Sequence, residues 1–336
     1  MSAGGRCNFH VPVRPELLEE TVKPDYAGIC LNRNVVLHHS YKVKKVIACS
    51  ELANVYAGRK LEDGAAVIVK EFYPRQVALR DLDKRTVLCR VPSVQRQYDE
   101  LREAFLMETQ MLQQLSHSNI VRLVDYFEEN GTHYMIMEYC KGISLERFVE
   151  EGRLVSVADF LRDTILPLAS ALEYVHAQGI IHRDIKPANI IIGEGGQPKL
   201  LDFGSAIYYE KTGHRIFTST GYSPLEFYSE KSQQGITSDV YSFAATMYFC
   251  LSGRTPNDVT RRLFQDNLES VRSLNRSVSP LMERTIRKGL AVRPDKRHAS
   301  MKQMKAALHA ERILLAMVER LLGKHKARQQ DDRKQA

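Results

Sequence analysis

The sequence has no apolar run long enough to cross a bilayer. Its longest candidate, Val240 to Leu251, has 12 residues and is interrupted by Ser and Thr, whereas a transmembrane helix needs about 20 apolar residues. The N-terminus also lacks the basic start and apolar core of a signal peptide. We therefore expect no transmembrane segment and a cytoplasmic location, and the sequence leaves open whether the protein is exported from the producing cell.

Cysteine is scarce, and no two cysteines have the Cys-x-x-Cys spacing of a metal site. This absence argues against a zinc or iron–sulfur site. The spacing favours reduced thiols in a cytosolic protein. The six cysteines are Cys7, Cys30, Cys49, Cys89, Cys140 and Cys250.

The chain is large enough to bury a sizeable core, with 336 residues and 43% hydrophobic content. Its formal net charge is +8, and residues 254–305 hold 13 Lys and Arg against 5 Asp and Glu. Such an excess attracts acidic substrates or an anionic surface, or it is simply a solvated basic face. Because no aromatic residues are interleaved for stacking on bases, we expect no nucleic-acid partner.

Two short segments carry the residue types that phosphoryl transfer needs. The first is His-Arg-Asp-Ile-Lys-Pro-Ala-Asn at 182–189, and the second is Asp-Phe-Gly at 202–204. Asp184 can accept or orient a hydroxyl proton, and Lys186 can offset charge on a transferring phosphate. Asn189 and Asp202 offer the oxygen ligands that Mg²⁺ prefers. Together they indicate transfer of a phosphoryl group to a hydroxyl.

The order of these segments resembles the catalytic loop and metal-binding turn of the protein kinases. Lys186, two residues after Asp184, is typical of the Ser/Thr branch of that family. The resemblance implies an α+β, two-lobed kinase fold with ATP bound between the lobes. It comprises a small antiparallel-sheet N-lobe with one main helix and a larger, mainly helical C-lobe. It also implies ATP and Mg²⁺, with Mn²⁺ as an alternative metal, and protein substrates.

A lysine on a strand and a glutamate on a helix complete the phosphate site of that family. The apolar run 67–70 predicts a strand that ends in Lys70, and apolar residues at helical spacing predict a helix over 98–115. Glu108 has the spacing of the family's glutamate. Glu103, on the same helix, is the competing candidate.

The glycine-rich phosphate loop of the family is missing. Its three glycine positions, 48, 50 and 53, hold Ala, Ser and Ala. Glycine there permits positive φ and close approach of backbone N–H groups to phosphate. Ile68 also stands where the family usually has Ala over the adenine. We therefore expect altered ATP affinity with the catalytic residues retained.

The nucleotide site extends to the apolar strand 135–140. By resemblance Met137 is the gatekeeper, unless it only fills the core, and the backbone at 138 and 140 meets the adenine. Cys49 and Cys140 would then be candidate reactive thiols, unless they are ordinary small apolar residues. The residues assigned to ATP are Lys70, Glu108, Ile47, Ala48, Ser50, Val55, Ile68, Met137, Glu138, Cys140 and Ile191.

Residues 202–226 resemble the activation segment of a kinase. Thr218, Ser219 and Thr220 are candidate phosphorylation sites, and Arg183 has the position of an arginine that pairs with such a phosphate. The alternative is that Ser219 only contacts Asp184 and the nearby lysine and is never modified.

Two further matches are architectural. Asp239 is expected to hold the catalytic-loop backbone, and Arg297 is expected to pair with Glu226. Short motifs at 69–74, 129–134 and 220–224 are similar to those of bacterial eukaryotic-like Ser/Thr kinases. The resemblance extends from about Tyr41 to about Leu308.

The predicted organisation is an N-terminal extension over 1–38, an N-lobe over 39–139, a C-lobe over 140–308 and a basic C-terminal helix or tail over 309–336. Residues 303–326 have apolar residues at helical spacing, which fits a helix that packs on the last lobe or one that meets a partner or membrane surface. The sequence predicts no oligomeric state.

The sequence therefore predicts an active protein Ser/Thr kinase with autophosphorylation in the activation segment. The alternatives are a kinase-like scaffold with weakened nucleotide binding and a small-molecule kinase. Lys186 and the Pro-Leu-Glu end of the activation segment argue against the small-molecule kinase.

Overall fold

The computed structural model describes residues 28–209, 216 and 218–317. Cys7, most of the N-terminal extension and the tail after residue 317 lie outside the described residues. Within the described ranges no helix combines the length and the apolar character needed to cross a membrane. The chain divides into two compact units. One contains the described residues up to Ser144 together with Ala188–Glu194 and Lys199–Ala206, and the other contains the rest.

The first unit is built on a six-stranded antiparallel sheet in the order β1-β2-β3-β4-β8-β7. One long helix and several short strands complete it. Its elements up to residue 144 are β1 (Val36–Leu37), β2 (Tyr41–Cys49), β3 (Ala53–Lys60), β4 (Ala66–Phe72), β5 (Ala78–Arg80), β6 (Val87–Cys89), α1 (Gln95–Gln114), β7 (Leu123–Glu129), β8 (Thr132–Glu138) and β9 (Gly142–Ser144).

The helix and the lysine-bearing strand follow the sequence pattern closely. α1 buries Leu101, Phe105, Glu108 and Leu112, three or four residues apart, which places them on one face of the helix. β4 is an inner strand of the sheet, between β3 and β8, and is buried along most of its length. The predictions of a strand over 67–70 and a helix over 98–115 are confirmed.

Four residues between 30 and 37 belong to the sheet's core, although the sequence analysis placed this segment in an N-terminal extension outside the N-lobe. Cys30, Leu31, Val35 and Leu37 are buried in one hydrophobic cluster with residues of β2, β3 and β8. Val36 and Leu37 also pair with β2 as β1. A two-residue edge strand has too little periodicity to be recognised from the sequence, and burial of these apolar side chains stabilises it.

The second unit is mainly helical, and its central helix is α5. Every residue of α5 from Ser238 to Leu251 is buried, and Gly253 ends the helix with a φ of 71°. The helical elements of this unit are α2 (Leu145–Glu150), α3 (Val157–Phe160), α4 (Leu166–Ala177), α5 (Ile236–Ser252), α6 (Val259–Arg262), α7 (Val271–Leu274), α8 (Pro280–Gly289) and α9 (residues 301–317).

Short strands lie just before and just after the two segments predicted to carry phosphoryl transfer, residues 182–189 and 202–204. β10 (Ile180–Ile181) pairs with β13 (Ile207–Tyr208) in the second unit. β11 (Ile190–Gly193) and β12 (Pro198–Leu200) form a three-stranded sheet with β9, in the order β12-β11-β9. The predicted α+β class, with a sheet-rich N-terminal part and a helical C-terminal part, is confirmed.

The predicted pair of Glu226 and Arg297 is confirmed. Arg297 donates through Nη1 to Glu226 Oε1 at 2.6 Å and through Nη2 to Oε2 at 3.1 Å. The guanidinium also donates to the carbonyls of Thr237, Ala291 and Val292. It therefore connects the segment that contains Glu226 to the start of α5 and to the loop after α8.

Candidate active site

Lys70 is the centre of a three-way charge cluster in the first unit. Its Nζ lies 2.6 Å and 2.8 Å from the two carboxylate oxygens of Glu108, and 3.5 Å from Asp202 Oδ1. Glu103, the competing glutamate of α1, is exposed. The lysine is therefore held in place by a helix carboxylate, with a second carboxylate beside it.

Burial and charge act in opposite directions on this cluster. Burial by itself lowers the pKa of Lys70, but the carboxylates of Glu108 and Asp202 outweigh burial and raise the pKa above its usual value. The ammonium therefore stays charged at neutral pH and can bind phosphate oxygens. Asp202 is the accessible member, with about half of its side chain exposed.

The turn after Asp202 allows little room beside the cluster. Asp202 has a φ of 56°, in the left-handed region that few non-glycine residues adopt. A Cβ at Gly204 would lie 3.2 Å from Asp202 Oδ1 and 3.4 Å from Glu108 Oε2. A side chain at position 204 would thus press on the carboxylates that surround Lys70, which is a reason for glycine at this position.

The strand register places several predicted nucleotide residues on one face of the sheet. Val55 is paired with both Ala48 and Lys70, and Ile68, two residues before Lys70, is paired with Met137. Directly paired residues and residues two apart on a strand share a face. A planar ligand on that face would therefore contact apolar side chains next to the lysine.

The glycine-free turn between β2 and β3 is closed by its own hydrogen bonds. Ser50 Oγ accepts from the N–H groups of Leu52 at 3.3 Å and Ala53 at 2.9 Å, and Ser50 N–H donates to Ala53 O at 2.8 Å. The carbonyls of Leu52 and Glu51 accept from Tyr73 and Arg75 N–H groups. Part of the backbone donor capacity that a glycine-rich loop offers to phosphate is thus used internally.

The two candidate metal ligands, Asn189 and Asp202, are brought together through the backbone. Asn189 O accepts a hydrogen bond from Leu201 N–H at 2.8 Å, directly before Asp202. Among the described residues no cluster of three or more His, Cys, Asp or Glu side chains could hold a metal. Two oxygen donors suit Mg²⁺, which keeps several waters and binds substrate phosphates.

The remaining nucleotide candidates lie in or directly after β2, β8 and β11. Glu138 accepts from Lys199 Nζ at 2.5 Å, and its own N–H donates to Arg122 O at 3.0 Å. Cys140 is half-buried, and burial raises its pKa to about 11, so its thiol is less reactive than an ordinary one. The other two are Ile47, half-buried in β2, and Ile191, buried in β11.

Asp184 and Lys186 form a second cluster, in the helical unit, with Ser219. Lys186 Nζ lies 2.7 Å from Asp184 Oδ1 and donates to Ser219 Oγ at 2.9 Å. Ser219 Oγ in turn donates to Asp184 Oδ1 at 2.9 Å. Ser219 N–H donates to Ser223 Oγ at 2.8 Å, a contact that the sequence analysis missed. This network contains the contacts of Ser219 with Asp184 and Lys186 that the sequence analysis expected.

Asp239 holds the backbone of the catalytic loop, as predicted. Its buried carboxylate accepts from the N–H groups of His182 at 2.8 Å and Arg183 at 2.9 Å. His176 Nε2 also lies 2.8 Å from it, a partner 63 residues away that no sequence periodicity indicated. Burial opposes the charge of Asp239, but these hydrogen bonds outweigh burial and lower its pKa. The carboxylate thus stabilises a strained turn in which Arg183 has a φ of 68°.

The family follows from a comparison with known proteins. The model of the protein kinase domain matches residues 41–309, so the chain belongs to the protein kinase family. This match and the bacterial relatives confirm the resemblance to the bacterial branch of eukaryotic-like Ser/Thr kinases. "Probable serine/threonine-protein kinase PknB" of Lactococcus lactis is 27% identical over 274 residues, which cover 79% of this chain and 40% of that protein.

Other relatives give the same result. A "Probable serine/threonine-protein kinase" of Streptomyces coelicolor is 30% identical over 80% of this chain and 39% of its own length. A solved structure described as "PpkA-294 apo form" has a TM-score of 0.73 and 25% identity, and the match covers 83% of this chain and 99% of that one. The chain thus spans about two-fifths of the length of these two curated relatives.

Proposed function

We propose that the protein is a Ser/Thr kinase that transfers the γ-phosphate of ATP to hydroxyl groups of protein substrates. The observation that carries this proposal is the Lys70 cluster, in a chain that belongs to the protein kinase family. A charged lysine held by one carboxylate, beside a second and accessible carboxylate, suits a metal–triphosphate ligand better than it suits a purely structural ion pair.

In this proposal the first unit binds and orients ATP. Lys70 contacts the phosphates, and Glu108 keeps the ammonium in place. The apolar side chains of Ile68 and Met137 lie against the adenine. Asn189 and Asp202 would hold Mg²⁺, which neutralises phosphate charge when bound.

The second unit supplies the residues that act on the accepting hydroxyl. Asp184 orients the substrate hydroxyl and accepts its proton as the oxygen attacks phosphorus. Lys186 offsets the charge that develops on the transferred group. Ser219 is hydrogen-bonded to both Asp184 and Lys186, and it keeps these two side chains in a fixed arrangement before the substrate binds.

We further propose autophosphorylation at Thr218 or Thr220, whose side chains are exposed, rather than at Ser219. Burial lowers the pKa of Arg183 to about 10, although the negative charges of Asp239 and Asp184 act to raise it. A phosphate would supply further negative charge for this buried cation. After incubation with Mg·ATP, peptide mapping is expected to find phosphate on one of the two threonines. Phosphate on Ser219, or full activity from unmodified protein, would contradict this assignment.

Glu108→Gln is expected to raise the KM for ATP and lower kcat/KM about 100-fold. Loss of the carboxylate charge frees Lys70 to turn toward Asp202 and removes it from the phosphates. The measurement is γ-phosphate transfer over a range of ATP concentrations. Glu103→Gln, an exposed change on the same helix, is the matched control and should leave both constants within about twofold. Equal effects of the two changes would argue against the proposed ATP site.

The turn at Ser50 is the observation that favours the alternative, a kinase-like scaffold with weakened nucleotide binding. Its internal hydrogen bonds leave fewer donors for phosphate. A scaffold would give no thermal shift with Mg·ATP at millimolar concentration, whereas the kinase proposal expects a concentration-dependent rise in Tm.

A further inference from the structure

Two cysteines from different segments meet at the start of the Ser50 turn. Cys49 is the last residue of β2 and is half-buried, and Cys30 is a buried residue in the segment before β1. Their sulfur atoms are 3.1 Å apart, in hydrogen-bond contact, although the residues are 19 positions apart in the chain. This separation is close enough for a covalent bond to form with only a small movement of the side chains.

The backbone on both sides of Cys30 is fastened to the sheet. Ile29 O accepts from Asn54 Nδ2 at 3.0 Å and from Arg80 at 3.0 Å and 2.8 Å. Leu31 N–H donates to Tyr56 Oη at 3.0 Å. Because the neighbours on either side are held, Cys30 is positioned before any reaction, which favours an intramolecular step.

The side chains that hold Ile29 and Leu31 in place also donate hydrogen bonds to one buried carboxylate, Glu71. It accepts from Tyr56 at 2.6 Å, from Arg80 at 2.7 Å and from Asn54 at 3.1 Å, and its side chain is fully buried. Tyr134 Oη adds a fourth hydrogen bond at 3.1 Å. A buried carboxylate that accepts four hydrogen bonds holds the residues around it in fixed positions. Glu71 directly follows Lys70, so the same strand supports both the charge cluster and the cysteine pair.

The environment assigns different roles to the two thiols. The hydrogen bond from Cys30 and the positive charge of Arg75 lower the pKa of Cys49, although burial opposes them. The same hydrogen bond and burial raise the pKa of Cys30. These effects favour Cys49 over Cys30 as the thiol that ionises and reacts first, with Cys30 as the hydrogen-bond donor.

We propose that Cys30 and Cys49 are a redox modification site that closes to a reversible disulfide when it meets a peroxide. The bond would tether the end of β2 to the segment that holds Cys30. It would thereby stiffen the turn that, on the proposed function, lies over the ATP phosphates.

The chemistry takes two steps. The Cys49 thiolate attacks hydrogen peroxide, so that an S–O bond forms, the O–O bond breaks and hydroxide leaves, giving a sulfenic acid. The sulfur of Cys30 then attacks the sulfur of Cys49, the S–O bond breaks, and the departing hydroxide takes the Cys30 proton and leaves as water. Two thiols are oxidised while one peroxide is reduced to two waters, because the hydroxide of the first step takes up the proton that Cys49 lost on ionisation. A dithiol reverses the reaction by thiol–disulfide exchange.

The direct test treats the reduced full chain with hydrogen peroxide, blocks remaining thiols with an alkylating agent and maps the peptides without reduction. We expect a Cys30–Cys49 linked peptide, a mass loss of about 2 Da and recovery of both thiols with dithiothreitol. Cys89→Ser is the matched control and should form the same link. Sulfenic or sulfinic acid on Cys49 with Cys30 still alkylated, or a link from Cys49 to another cysteine, would overturn the proposal.

A second measurement separates a thiol pair from two cysteines that merely pack together. Alkylation of Cys49 by iodoacetamide is expected to reach half of its maximal rate at a lower pH than alkylation of Cys140, whose pKa burial raises to about 11. Cys30→Ala removes the donor and should shift the Cys49 profile to higher pH. An unchanged profile would contradict the pairing. Neither readout requires phosphate transfer, so failure here is distinguishable from failure of the proposed kinase function.

Discussion

Asp184→Asn is expected to lower the rate of phosphate transfer about 1000-fold while leaving nucleotide binding unchanged. Asparagine has nearly the same shape, but its amide cannot take the proton of the substrate hydroxyl. The change also removes the negative partner of Lys186, which lies 2.7 Å away. The measurement is kcat for γ-phosphate transfer at saturating Mg·ATP, together with the thermal shift that Mg·ATP produces.

Asp159→Asn is the matched control for this prediction. Asp159 lies in α3 of the same unit, is exposed and makes a surface ion pair with Arg162. Such pairs contribute little, so kcat should stay within about twofold of wild type. Retention of more than a tenth of wild-type kcat by Asp184→Asn would remove Asp184 from the proposed role.

Arg297→Ala is expected to lower the free energy of unfolding by about 3–5 kcal/mol. The substitution leaves Glu226 buried without its cation and frees three carbonyl groups that now accept from the guanidinium. The measurement is urea or thermal unfolding of the whole chain, and we expect Tm to fall by about 10 °C.

Two further variants decide whether the buried charge causes this loss. Arg293→Ala, in the same loop, removes an exposed guanidinium that pairs with Asp295, and it should change Tm by less than about 2 °C. The double variant Glu226→Leu, Arg297→Met leaves no orphan charge and should recover part of the lost stability. A double variant as unstable as the sum of its single changes would contradict this explanation.

Residues with local patterns could be predicted from the sequence. The apolar run ending in Lys70 indicated a strand, and the spacing of Leu101, Phe105 and Leu112 indicated the helix that carries Glu108. The choice of Glu108 over Glu103 depended on spacing within a resembled motif. Helical periodicity supports that choice, because Glu108 shares the buried face of α1.

Features that depend on contacts between distant segments could not be predicted. The pairing of Cys30 with Cys49 and the convergence of Asn54, Tyr56 and Arg80 on Glu71 join residues that no short motif connects. Cysteine spacing alone gave no sign of the thiol pair, since the two residues meet only after the segment before β1 folds onto the sheet. The Ser50 turn was predicted as a loop without glycine, but its internal hydrogen bonds are a property of the folded hairpin.

The most direct test of the account is γ-phosphate transfer from Mg·ATP by the wild-type chain, to itself and to a generic basic protein, over a wide range of ATP concentrations. The account predicts saturable incorporation on Ser or Thr, abolished by Lys70→Ala. It also predicts a raised KM for ATP, because the Ser50 turn uses some of its backbone N–H groups in internal hydrogen bonds. No incorporation at millimolar ATP by a chain that unfolds cooperatively would contradict the kinase assignment and favour the scaffold.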